Sequence, residues 1–591
     1  MKKQKNRKTD RLVRNSVLIA DRTKKMALTY IGSTLCAQAV ILVDSLVAGI
    51  SIGPEALAAI AAAGPLLAIE QILHCLLGFG IDKLMIQEIG KGNRKEADRI
   101  FGAILITVAL AYMSVYIPLL IFERPLIQFV MGDQPLVDLV IRYTQPLFIT
   151  APIFEVFLCI ERAFRVDGRV QFFTLRSIIT NIANILLDIL MVSVLNLNLS
   201  GLAWSSVIST ALGFLITLSH FFSSQRTVSP DFSVLKSKKE MIDYVKRDIH
   251  LGECATLDEV MDALALSLQT SAIGVLGGPG GLAIWAVFKS LRGIILSLGN
   301  GVSASVAIHA GWLNGMEDYD GARFSVEIGV GIAVSASLGI MFIVHVFAGG
   351  IAELYHIEPE LRPLCTQCLQ IGSLVFTSFG FLTVLGAYLP AVNRMGLTNL
   401  QIILQKGLTI IAAGIGYSVV MVNLYGLYVI ALWIAALFML FLLLRDRHWF
   451  LPKRNPEMIK AYSIPLEPEK ISELSVDADW NLCSCGFAED FCHNISALIE
   501  EGLNYIAKTN PSSNIRGDIQ MRRHERHLQI ILIDDGEAYN PLTEITKDSH
   551  KEPETSSTVD IMGLKANVNY DRVLGLNSGI LDVIPPEKAV G

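Results

Sequence analysis

Twelve runs of predominantly apolar residues follow one another along the first three quarters of the chain. They lie near 27–50, 56–80, 100–122, 138–161, 172–196, 201–222, 252–276, 282–308, 324–348, 364–389, 398–422 and 426–444. A bilayer core ~30 Å thick takes about 20 residues at the helical rise, so each run predicts one spanning helix. Glycine and proline inside several runs do not break that reading, because neighbouring helices satisfy the freed backbone groups. After Phe450 the pattern changes. Residues 448–479 are rich in proline and charge and read as a linker. From 480 to 591 the alternation is that of a small α+β domain: FCHNISALIEEGLNYIAK (491–508) is amphipathic at helical spacing, HLQIILIDDG (527–536) is a strand ending in a turn, and GILDVI (579–584) is a second strand.

The polar stretches between the runs alternate in charge. Lys83, Lys91, Arg94, Lys95 and Arg99 follow the second run, and Arg162, Arg165, Arg169 and Arg176 follow the fourth. KSKKE and VKRD fill 223–250, and RDRHWFLPKR leaves the twelfth run, whereas SIGPEA, GDQPLVD, LNLNLS, GGPGG, YHIEPE and VNLYG carry almost no basic residue. Short-loop Lys/Arg bias therefore places both termini in the cytoplasm, including a basic tail at 1–25 with no signal-peptide cleavage pattern behind it. Hydrophobic residues make up 52% and charged residues 18% of the chain, which a soluble protein does not match. A net charge of −6 argues against nucleic acid, and nine cysteines at this length make no disulfide scaffold. The expectation is a multi-pass protein of the cytoplasmic (inner) membrane.

The two halves of that body look alike. LLGFGIDKLMIQEIGKGNRKEADRIFG (76–102) aligns with SLGNGVSASVAIHAGWLNGMEDYDGARFS (297–325), and RAFRVDGRVQFFTLRSIITNI (162–182) with PAVNRMGLTNLQIILQKGLTI (390–410). Six spans per copy is an even number, so the copies run parallel about an axis along the membrane normal. This divides the body into an N-lobe (26–222), an inter-lobe loop (223–250) and a C-lobe (251–447).

Ionisable groups inside spans are expensive and mark function. Asp44 sits late in the first span and Asp188 in the fifth, with Asn184 one turn before it on the same face. Carboxylate and amide oxygens suit Na⁺; the same carboxylates, desolvated, suit a proton. Gln38 is a candidate cavity amide and Asp262 a candidate second-lobe acid. His74, in the second span, reads as a satisfied core residue. Cys365 and Cys368 read as small hydrophobes.

AQAVILVDSLVAGISIGPEALAAIAAAGPLL resembles the first two helices of the multidrug and toxin extrusion (MATE) transporters, and FRVDGRVQFFTLRSIITNIANILLDILMV resembles their fourth-to-fifth loop and fifth helix. The resemblance covers residues ~20–447. It implies an all-α membrane fold of twelve helices in two six-helix lobes and antiport of small organic compounds against H⁺ or Na⁺. It maps the cation site onto Asp44, Asn184 and Asp188, with a sixth-helix hydroxyl near Ser205 or Ser206. In the tail, Glu500-x-x-x-Asn504, the Asp534-Asp535-Gly536 turn and Met562-Gly563-Leu564 together resemble the GHKL-type ATP-binding fold of anti-sigma-factor serine kinases. That resemblance implies Mg-ATP, with Glu500 as catalytic base, Asn504 on Mg²⁺, Asp534 on adenine, and Gly536 and Gly563 against the nucleotide.

The expected protein is thus a monomeric exporter in contact with lipid. Its cytoplasmic domain binds nucleotide and docks a soluble regulatory protein. Two other classes stay open. One is a membrane-tethered sensor with serine-kinase activity. The other is a flippase for lipid-linked sugars, against which the scarcity of mid-span Lys and Arg counts.

Overall fold

The computed structural model describes residues 17–47, 52, 54–131, 136–166, 170–222, 228–355, 357–418, 420–446, 458–510, 515–524, 527–537, 556–561, 564–574 and 576–585. The body is all helix. Its first half holds α1 (Val17–Val47), α2 (Pro54–Gly78), α3 (Ile81–Gly90), α4 (Arg94–Ile121), α5 (Glu123–Met131), α6 (Leu136–Val166), α7 (Val170–Asp188) and α8 (Asn198–Phe221). The second half holds α9 (Lys238–Gly278) and α10 (Gly280–Gly315), then α11 (Tyr319–Leu354), α12 (Arg362–Ser373), α13 (Phe376–Ala391), α14 (Met395–Ile402), α15 (Leu408–Gly416) and α16 (Met421–Arg445). Among the described residues, nine helical stretches are long and apolar enough to cross a membrane. Many of their apolar side chains are exposed, Leu110, Ile117, Phe342, Ile430 and Leu444 among them. In water that surface would be a liability; against lipid tails it costs nothing.

Turn chemistry sets the hairpins. Gly278, at φ 55°, folds α9 back on α10 in a conformation that disfavours any residue with a Cβ. Asn196 and Asn198, at φ 52° and 51°, turn the chain from α7 into α8; asparagine tolerates the left-handed region better than most residues. The stretch 223–250, read above as a loop, contains a 3₁₀ turn at Phe232–Lys236 and the start of α9. Ser237-Lys-Lys-Glu240 starts α9 there: the Ser237 hydroxyl accepts from the Glu240 amide at 3.4 Å.

Glycines let the halves meet closely at one end. A Cβ on Gly252 of α9 would lie 2.2 Å from the Leu76 carbonyl oxygen of α2, and one on Gly315 would lie 2.3 Å from the Gln87 carbonyl oxygen of α3. Gln87 Nε2 donates to the Ala391 carbonyl at 2.9 Å across the same junction. Gly301 of α10 admits α1 in the same way: the Ile31 amide nitrogen would stand 2.6 Å from a Cβ there. Gly252→Ala is expected to wedge α9 from α2 at a cost of ~1–3 kcal/mol, seen as a lower melting temperature of the purified protein; an unchanged melting temperature would contradict the contact.

The tail domain folds from Met458, not from 480. The presumed linker contains strand β1 (Met458–Pro465) and most of helix α17 (Pro468–Ser484). Pro468 occupies the first helical turn, where its missing N–H is no loss. Helix α18 (Glu489–Thr509) follows, then β2 (Arg516–Arg523), β3 (Leu528–Asp534), β4 (Ser556–Ile561), β5 (Leu564–Val573) and β6 (Leu576–Val583). All pairings are antiparallel, in the order β1-β2-β3-β6-β5-β4. The sheet is apolar on both faces. Leu528 and Ile530 pack with Ile495 and Leu503 of α18, while Ile531, Ile533, Val573, Leu576 and Ile580 join the core of the helical body. Arg522 donates to the Met316 carbonyl just past α10, and the Leu574 amide lies 3.5 Å from the Val166 carbonyl at the end of α6. The tail therefore touches both halves of the body at the end where they are sealed together.

Candidate functional site

The tight Asn196–Asn198 turn returns α8 across α7, and this brings the fifth- and sixth-run polar groups together. Asp188 is fully buried and its carboxylate accepts from the Ser205 hydroxyl. Asn184, one turn earlier and also buried, donates to Ser206 Oγ at 3.4 Å. Gly213 keeps the helices close: a Cβ there would collide with the Thr180 hydroxyl. Immediately after Asp188 the helix widens into a π turn (Ile189–Val194), a local irregularity that recurs at functional positions. Asp44 falls on α1, in the stretch 41–46 whose side chains lie outside the described residues. Gln38 does not join this cluster; its amide packs 3.1 Å from where a Gly293 Cβ would be, against α10.

Asp262 stands in a different environment from the one its sequence position suggested. Arg292 of α10 donates to its carboxylate at 2.7 Å, and Lys406 reaches it at 2.5 Å from the π turn Ile403–Gly407. Lys406 also lies 3.6 Å from Asp258. One carboxylate thus ties three helical segments. Arg292 and Lys406 both lie within apolar runs, and a lone basic residue in a span implies an acid on another.

A cavity of about 420 Å³ opens between the halves. Asp82, Asp258, Glu259 and Asp262 line it together with Lys83, Arg162 and Lys406. A second cavity, about 350 Å³, lies within the first half and is lined by Glu70, His74, Glu155, Glu161, Arg162 and Arg176. His74 Nδ1 lies 2.9 Å from Glu155 Oε1, and Arg162 Nη2 lies 3.0 Å from His74 Nε2. Arg176 pairs with Glu161 at 2.7 Å. His74 is therefore satisfied, as its sequence reading supposed, but by charged partners. Glu70 and Glu155 were the missed signals, each an acid well inside a predicted span.

In the tail, Glu500 and Asn504 lie one turn apart and half-buried on α18. Asp534 is buried, and its Oδ1 accepts from the Gly536 amide at 2.9 Å and from Asn577 Nδ2 at 2.8 Å. Asn577 Oδ1 in turn accepts from Tyr570 at 2.9 Å and Arg572 at 3.2 Å. Gly536 allows the strand end to meet the helix end, since a Cβ would lie 3.1 Å from Asn510 Nδ2. The fit to Mg-ATP is thus partial: Glu500 and Asn504 stay partly accessible, whereas Asp534 already holds the turn together. Gly563 lies outside the described residues. Burial, and then the neighbouring Cys483, push the Cys492 thiol up to about 12, so it carries no thiolate near neutral pH. Among the described residues no group of three or more His, Cys, Asp or Glu is placed to hold a metal ion.

Exposed apolar helices, buried charge clusters and a cavity between two halves define a multi-pass helical membrane protein with a polar interior. The chain belongs to the MatE family of membrane transporters, which it matches over residues 30–190 and 264–404, just over half its length. The matched segments include Asp44, His74, Glu155, Asn184, Asp188 and Arg292 and exclude the tail. Solved structures of similar fold include a MATE protein in complex with MaL6, 18% identical over 73% of this chain and 97% of that one, with a TM-score of 0.67. Another is an outward-facing multidrug resistance MATE family transporter of the MOP superfamily, 18% identical over 74% and 99%, with a TM-score of 0.67. A MOP superfamily transporter from Pyrococcus furiosus, whose binding pocket of reverse polarity suggests a different function, is 18% identical over 75% and 99%, with a TM-score of 0.66. At these identities the likeness concerns the fold. No curated protein matches the chain by sequence.

Proposed function

We propose that the chain is a cation-coupled antiporter that exports small organic compounds across a cytoplasmic membrane, with twelve spans in two six-helix lobes and both termini cytoplasmic. The observation that carries this reading is the buried Asp188, set between two spans with Asn184, Ser205 and Ser206 around it. A carboxylate at such a depth is costly unless something binds there, and H⁺ and Na⁺ both fit the oxygen-rich set. Loading Asp188 and Asp44 changes the charge between α1, α7 and α8, and this shifts the equilibrium between inward- and outward-open packings. Acids outnumber bases along the central cavity, which favours cationic over anionic cargo and speaks against an anionic lipid-linked sugar.

The tail is proposed to bind Mg-ATP through Glu500 and Asn504 and to regulate the body. The chain has no G-x-x-x-x-G-K-S/T segment, so no P-loop ATPase within it drives transport. The test is ethidium efflux from proteoliposomes under an imposed pH or Na⁺ gradient. Efflux driven by one of the two gradients and lost in Asp44→Asn is the expected result; gradient-driven efflux undiminished in that variant would remove Asp44 from the mechanism, and no gradient response in wild type would end the antiporter reading.

A further inference from the structure

The cavity inside the first half is separate from the Asp188 cluster, and nothing assigned so far uses it. Its chemistry follows from one donor rule. A guanidinium only donates hydrogen bonds, so Arg162 Nη2, 3.0 Å from His74 Nε2, makes that ring nitrogen the acceptor. The ring proton is then on Nδ1, where it donates to the Glu155 carboxylate at 2.9 Å. His74 is therefore held neutral, in one tautomer, between a fixed cation and a fixed anion. The geometry leaves room for this trio: a Cβ on Gly78 would lie 3.0 Å from Glu155 Oε1 and 3.8 Å from Arg162 Nη2.

We propose that His74 and Glu155 form a proton-binding site whose loading is transmitted to the central cavity by Arg162. The proposal rests on the antiporter reading and names its ion. A proton from cavity water adds to the Nε2 lone pair; no covalent bond breaks, and the hydrogen bond from Arg162 loses its acceptor. The imidazolium keeps its Nδ1–H bond to Glu155 and repels the guanidinium. Arg162 lines both cavities and lies 3.8 Å from Asp82 on α3, so its released head group moves toward the cavity between the halves.

The other groups facing the site are Glu70 and Cys75 on α2, Tyr112 and Tyr116 on α4, Cys159 on α6, the Glu161–Arg176 pair and, beyond Arg162, Asp248 on α9. Of these, Arg176 is matched by Glu161.

Histidine ¹⁵N NMR of the full chain in nanodiscs reads the site directly, with the His74 signals assigned by their loss in His74→Gln. A neutral Nδ1–H ring that becomes imidazolium between about pH 8 and 5, with its midpoint displaced in Glu155→Gln, is expected. A ring that stays neutral or stays charged throughout, or a midpoint indifferent to Glu155→Gln, overturns the proposal. Ethidium transport separates it from the reading beneath it. His74→Gln should keep gradient-free ethidium exchange but lose the response to a pH gradient. A full pH response in that variant, or wild-type efflux driven by Na⁺ alone, overturns the proton site and leaves the antiporter standing. A wild type with no gradient response overturns both.

Discussion

Asp188→Asn will leave the protein folded in the membrane and abolish gradient-driven efflux. The side chain is fully buried, and the substitution is nearly isosteric. The asparagine carbonyl oxygen can still accept from the Ser205 hydroxyl, so the fold loses at most the difference between a charge-assisted and a neutral hydrogen bond, ~1 kcal/mol. What disappears is the ability to change charge state or to present two carboxylate oxygens to a cation. Efflux of ethidium under the driving gradient should fall to the level of empty vesicles, with the melting temperature within a few degrees of wild type. Efflux at the wild-type rate would show that the α7–α8 cluster is structural glue between two spans.

The second large effect is on stability. Asp262→Ala removes the shared partner of Arg292 and Lys406, whose side chains are only 9% and 10% exposed. Leaving a buried charge uncompensated costs ~3–5 kcal/mol. Lys406 retains Asp258 at 3.6 Å, so most of the loss falls on Arg292. The diagnostic companion is the triple change Asp262→Leu, Arg292→Met and Lys406→Met. If the triad is a structural tie, this apolar version recovers most of the lost melting temperature, because a well-packed hydrophobic set can replace a buried ion pair at little net cost. If Asp262 instead binds a transported ion, the triple variant folds but transports nothing. Recovery of both stability and transport would confine Asp262 to packing.

The helical body was legible in the sequence because each span must satisfy its own backbone within about 20 residues, so the signal is local and repeated. The pairing of Asn184 with Asp188 was legible for the same reason, as one helical turn. The Asp262 triad was not, since its members lie 30 and 144 positions apart and only the tertiary fold brings them together. Glu155 lies six residues from the end of a run that basic residues follow, where an acid reads as part of the polar boundary. Its seven-residue spacing from Arg162, two turns on one helix face, was the available clue. In the tail, Pro465 and Pro468 read as linker punctuation, yet one ends a strand and the other begins a helix. The run LQIILID carried a second message: apolar residues on both parities of a strand mean a sheet covered on both sides.

That doubly covered sheet bears on how the protein can be dissected. Detached from the body, the tail would uncover Ile531, Ile533, Val573, Leu576 and Ile580 as one contiguous greasy face, the kind of surface through which fragments self-associate. The body, for its part, would lose the cover over the seam where its halves meet. The two parts are therefore one solubility unit as well as one polypeptide. Biochemistry on either alone would report a molecule with a raw surface that the whole chain never shows.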